Sequence, residues 1–139
     1  MEQFLIALAL VFAFINGFHD SANSIATVVY THALSPGRAV AWAALFNFAA
    51  FAVFGVYIAE TVGTGIIDVS IIDNNIILGA LTSAVLWDIF TWYFGLPSSS
   101  SHALIGGLIG SAVIKAGWGS LMTSGIVPIA VFIVLSPLV

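Results

Sequence analysis

The chain has 139 residues, of which 61% are hydrophobic and 6% charged, too few charges to cover a water-facing domain, where about 25% is usual. Two basic and six acidic residues leave a net charge of −4, which excludes the basic footprint of a nucleic-acid binder, and a mean hydropathy of +1.18 excludes a disordered chain. No cysteine is present, so disulfides, thiolate metal sites and cysteine nucleophiles are excluded as well.

The pattern predicts an all-α integral membrane protein, multi-pass, with residues 1–139 as a single membrane domain. A bilayer-crossing helix needs about 20 apolar residues, so this length allows about four to five transmembrane or re-entrant helices. Continuous apolar runs, rather than alternating ones, favour helices over a barrel. The first run, 3–31, is interrupted by Asn16-Gly17-Phe18-His19-Asp20. It lacks the basic start and small-residue cleavage site of a secretory leader. The second run covers 39–60, and a linker with Asp68 and Asp73 follows. The third covers 76–96 and contains Asp88. Pro97-Ser98-Ser99-Ser100-Ser101 breaks the chain before a Gly-rich run, 102–117, that either crosses or re-enters. An incomplete run, 125–139, comes last. Arg38 between the first two runs places that loop in the cytoplasm by the positive-inside rule.

Polar residues inside apolar runs are functional candidates, because hydrocarbon penalises them. Asn16, Asp20, Asn23 and Thr27 stand at i, i+4, i+7 and i+11, one helical face. One charge and three neutral oxygens on a stripe suit a small hard cation such as Na⁺. Asn and Thr also serve as interhelical hydrogen bonds, which is the plainer use of Asn16 or Thr27 taken alone. His19 lies off the stripe and fits packing, hydrogen bonding or proton transfer. The second cluster, Ser98, Ser99, Ser100 and Ser101, sits at the start of a helix read as 103–116. Hydroxyls, free backbone amides and the helix dipole together favour an anion there. A Ser-rich solvent loop is the alternative. Gly106, Gly107, Gly110 and Ser111 thin one side of that helix, which suits folding back on 76–96. Asp88 and His102 are further candidates. Asp88 either binds a cation, carries a proton or pairs within the bundle.

The string Gly17-Phe18-His19-Asp20-Ser21-Ala22-Asn23-Ser24-Ile25-Ala26 resembles the first signature of the inorganic phosphate transporter (PiT) family. The string Gly95-Leu96-Pro97-Ser98-Ser99-Ser100-Ser101-His102-Ala103-Leu104-Ile105-Gly106-Gly107 resembles its second. The resemblance covers essentially the whole chain and implies one half of an inverted-repeat transporter. It implies transport of phosphate coupled to Na⁺ or H⁺, with Asp20 and Asn23 serving the cation and Ser98–Ser101 the phosphate oxygens. Only one copy of each motif is found, so a second repeat or second chain is expected to complete the cavity. Phosphate beside Asp20 would be repelled in a low-dielectric site, and a cation between them removes that repulsion. Cooperative binding of the two ions is the thermodynamic core of symport.

The expected partners are therefore inorganic phosphate and the lipid bilayer, with no nucleic acid. No cofactor is expected beyond the coupling ion, Na⁺ or H⁺, and no enzymatic activity. A prokaryotic inner membrane is the expected location. Sulfate or another oxyanion is the alternative substrate, and a non-transporting fragment that assembles with a second chain is the alternative role. An intramembrane serine hydrolase is disfavoured, because no Gly-x-Ser-x-Gly elbow is present.

Overall fold

The computed structural model describes residues 1–54, 65–135 and 138, and the part of the second apolar run at 55–60 lies outside them. Among the described residues the regular structure is helical: α1 (Glu2–Tyr30), α2 (Pro36–Phe54), α3 (Asn74–Tyr93), α4 (Ser100–Ala116) and α5 (Thr123–Leu135), with short 3₁₀ turns at Val69–Ile71 and Trp118–Ser120. The 29 residues of α1 reach about 43 Å and the 20 of α3 about 30 Å at 1.5 Å per residue. Both are long and apolar enough to cross a bilayer. Pro36 stands at the first position of α2, where its missing N–H costs nothing.

The centre of the fold is the antiparallel hairpin of α3 and α4. Along α3 the residues Ile76, Ala80, Ala84, Asp88 and Thr91 repeat at helical spacing and are all buried. Small side chains let the arms approach closely. A Cβ on Gly107 would meet Ser83 Oγ and the Ala80 carbonyl oxygen, and one on Gly79 would meet Ser111 Oγ. Gly106 and Gly110 have open space where a Cβ would go. Of the two overlapping small-residue spacings, only Gly107 and Ser111 therefore make this contact.

Both ends of the hairpin are fastened by local chemistry. At the foot, Asp73 caps α3, accepting from the amides of Asn75 (3.2 Å) and Ile76 (3.0 Å). Lys115, in the last turn of α4, pairs with Asp73 at 2.8 Å and donates to the Ile71 carbonyl at 2.8 Å. The Lys115 hydrogen bond, then the Ile76 amide, holds the Asp73 carboxyl below the usual carboxylate range. At the tip, Gly95 has φ +64 and ends α3. The Leu96 amide donates back to the Thr91 carbonyl (2.8 Å) and the Gly95 amide to that of Trp92 (3.1 Å). This is the Schellman pattern that glycine's freedom at positive φ permits.

A hydrophobic cluster of Ile66, Ile67, Ile76 and Ala112 lies toward the foot, with Ile109 and Ile126 packed against it. The segment before α3 is tied to the one before α5 by an isolated bridge, Ile67 to Leu121. α1 packs on α3, with Phe18 and Trp92 edge to face at a centroid distance of 5.6 Å, and α2 packs on α1. Much of the apolar surface is exposed, including Phe14, Phe46, Phe48 and Phe132, as a membrane-embedded surface would be.

Candidate functional site

The two motifs are far apart in sequence, and the fold brings them together. A cavity of about 220 Å³ lies between the middle of α1 and the hairpin tip. His19 and Asn23 line it from α1, Thr91 and Trp92 from α3, and Gly95, Leu96 and Pro97 from the turn. His19 and Asn23 are four residues apart and share a face. The polar stripe therefore meets the hairpin along its edge. Asn16 is half-buried, and Asp20, Asn23 and Thr27 are exposed, Asn23 lining the cavity from its open side. His19, off the stripe by spacing, occupies the side of α1 that faces the hairpin, and its Nδ1 is buried without a partner among the described residues.

The four serines occupy four different environments. Ser98 Oγ shares a hydrogen bond with Thr91 Oγ1 (3.1 Å), joining the turn to α3. Ser99 is the N-cap of α4, its hydroxyl accepting from the His102 amide at 3.4 Å. Ser100 is buried, with its hydroxyl unpartnered among the described residues, and Ser101 is exposed. The helix begins at Ser100, earlier than the sequence reading of 103. The amides of Ser100 and Ser101 thus stand in the first turn, where a helix offers no acceptor. Those two amides and the dipole make the tip a favourable place for negative charge.

His102 faces away from α1. It lines an open groove of about 830 Å³ along the hairpin, together with Ser98, Ser99, Trp87, Gly106 and Gly110. Among the described residues no three His, Asp or Glu side chains gather as a metal cluster. A cation here would rely on neutral oxygens beside a single carboxylate. Thr91 was not among the sequence candidates, yet it lines the cavity and holds the turn through Ser98. Its position three residues after the intramembrane Asp88 is the signal that marks it.

The sequence profile of the Phosphate transporter family matches residues 16–139, which includes both motifs. The chain belongs to this family. A probable low-affinity inorganic phosphate transporter of Rhizobium meliloti is 56% identical over 133 residues, which cover 96% of this chain and 40% of that protein. The low-affinity inorganic phosphate transporter PitA of Escherichia coli is 40% identical over 121 residues, covering 81% of this chain and 24% of that one. A solved structure titled as the sodium-dependent phosphate transporter superposes with a TM-score of 0.87 at 28% identity, over 96% of this chain and 35% of its own. The chain thus spans about two fifths or less of these family members. Its helical architecture is that of part of a membrane transporter.

Proposed function

We propose that this chain forms one half of a cation-coupled inorganic phosphate transporter, with Na⁺ as the coupling ion, in a bacterial inner membrane. A second repeat, in the same or another chain, closes the cavity from the opposite side. The observation that carries this reading is the shared cavity of His19 and Asn23 with Thr91 and Pro97, which sets the polar stripe of α1 beside the serine turn. Asp20 and Asn23, with Asn16 and Thr27 along the same stripe, supply the cation's oxygens. The turn supplies the Ser98 and Ser101 hydroxyls and the Ser100 and Ser101 amides to phosphate. No Lys or Arg lies within either motif, so the positive charge that offsets phosphate comes from the bound cation and the α4 dipole. The relatives' names and the sodium-dependent neighbour support the substrate and the ion.

The test is uptake of radiolabelled phosphate into proteoliposomes holding this chain together with the remaining part of a family member, with Na⁺ and pH gradients imposed separately. Uptake driven by the Na⁺ gradient and competed poorly by sulfate is expected. Uptake driven by the pH gradient alone would replace Na⁺ with H⁺, and equal competition by sulfate would make the substrate an oxyanion at large.

A further inference from the structure

Thr91 and Ser98 share a hydrogen bond that either hydroxyl could donate, and the contacts around it decide which one does. Thr91 is 1% exposed. Its hydroxyl oxygen lies 3.0 Å from the Trp87 carbonyl oxygen, 3.2 Å from that of Asp88 and 3.1 Å from Ser98 Oγ. A hydroxyl has one proton to donate and two lone pairs to accept with, whereas a carbonyl oxygen only accepts. The two contacts within α3 therefore need the Thr91 proton, the usual back-bond of a helical threonine. Were that proton given to Ser98, two carbonyl oxygens would face Thr91 lone pairs in a buried place, where unmade hydrogen bonds are costly. One assignment serves all three contacts: Thr91 donates to the carbonyls of its own helix, and Ser98 donates to Thr91.

Ser98 then has no proton left to offer, and both of its lone pairs are free. Ser99, the next residue, has the reverse polarity. Its oxygen accepts from the His102 amide at 3.4 Å, and its proton has no acceptor among the described residues. Ser98 and Ser99 line the same groove of about 830 Å³. An acceptor that cannot donate thus stands beside a free donor. Hydrogen phosphate suits both, because near neutral pH it presents unprotonated oxygens and a P–OH group together. Sulfate carries no proton there, and one of its oxygens would meet the Ser98 lone pairs.

We propose that Ser98, oriented by Thr91, is the residue that separates phosphate from sulfate, accepting a hydrogen bond from P–OH while Ser99 donates to an unprotonated oxygen. Thr91 is a positioning residue, acting on the anion through Ser98. Its carbonyl also accepts from the Leu96 amide at 2.8 Å, so backbone and side chain hold the turn against the same residue. The assignment rests on the phosphate reading above and adds to it the polarity of each serine.

Equilibrium binding of radiolabelled phosphate tests it, with this chain assembled with the remaining part of a family member in saturating Na⁺. The competitors are sulfate and fluorophosphate, which has the shape of hydrogen phosphate with fluorine in place of the hydroxyl. In wild type both should bind at least about tenfold more weakly than phosphate, as one unmade hydrogen bond in a closed site implies. Thr91→Val keeps the shape and removes the hydroxyl, so Ser98 can turn its proton to the groove. The preference for phosphate over sulfate should then fall about tenfold, chiefly through tighter sulfate. Thr91→Ser should keep the wild-type preference. Ser98→Ala serves should Thr91→Val fail to fold, and it should weaken phosphate about tenfold without weakening sulfate. A Thr91 that acted through packing alone would weaken both anions together. Fluorophosphate bound by wild type as tightly as phosphate, or an unchanged preference in either folded variant, Thr91→Val or Ser98→Ala, overturns the assignment and leaves phosphate binding standing. Wild type that binds no phosphate overturns the phosphate reading, and the assignment with it.

Discussion

Gly106 and Gly107 are neighbours on α4, and alanine at each should have opposite consequences. Both substitutions gain helix propensity, about 1 kcal/mol for Gly to Ala in a helix interior. At Gly106 the new methyl enters open space. At Gly107 it meets the Ala80 carbonyl oxygen at 2.8 Å and the Ala80 Cα at 3.1 Å, both backbone atoms that cannot rotate aside. Ser83 Oγ, also in the way, can turn, but its hydroxyl is held by the Gly79 carbonyl at 2.7 Å. Overpacking of this kind costs roughly 1–3 kcal/mol. The propensity gain is common to both and cancels in the comparison. Gly107→Ala should therefore be less stable than Gly106→Ala by roughly 1–3 kcal/mol. Unfolding of the isolated chain by SDS titration in mixed micelles, followed by the tryptophan signal, measures the difference. Equal stability of the two variants would refute the close approach of α3 and α4 on which the tip geometry depends.

Four further outcomes are expected, three of them here. Ser99→Ala removes the α4 cap and should destabilise the chain by about 0.5–1 kcal/mol, the lower end of the capping range given its long 3.4 Å bond, while Ser99→Asp keeps the cap; the same titration reads both. Asn23→Ala, in the assembled transporter, should weaken the Na⁺ dependence of phosphate uptake less than Asp20→Asn does, because it removes a neutral oxygen and no charge; an effect confined to maximal rate would count against a ligand role. Asp73 titrates below its unfolded value because of Lys115, so the pair stabilises above the ordinary carboxylate range and loses that contribution as pH falls through the depressed folded value. Lys115→Met should therefore lower stability at neutral pH and converge with wild type in acid, and a pH-independent loss would assign the effect to packing.

The helices and the polar stripe were legible because each depends on local spacing alone. Asp88 could have been placed too: it continues the Ile76–Ala80–Ala84 stripe, so the pattern that makes α3 pack also buries the carboxylate. The separate fates of the four serines could not be read. A run of identical residues has no internal contrast, and their roles follow from where the Schellman turn at Gly95 and Leu96 delivers the chain. The choice of Gly107 over Gly106 depends on the rotational setting of α4 against α3, which small-residue spacing leaves open. His19 was set apart because the stripe was centred on Asp20. The hairpin meets α1 to one side of that centre, so His19 and Asn23 line the cavity and Asp20 does not.

The fourth outcome concerns the central claim, that a cation on α1 and an anion at the hairpin tip share one site. Linkage makes this measurable at equilibrium: if Na⁺ tightens phosphate by some factor, phosphate tightens Na⁺ by the same factor. Both affinities should be measured in the assembled protein, for wild type and for Asp20→Asn. The account predicts equal reciprocal factors in wild type and a marked reduction of both in Asp20→Asn, with phosphate still bound weakly at the serine turn. Unchanged coupling in Asp20→Asn would contradict it.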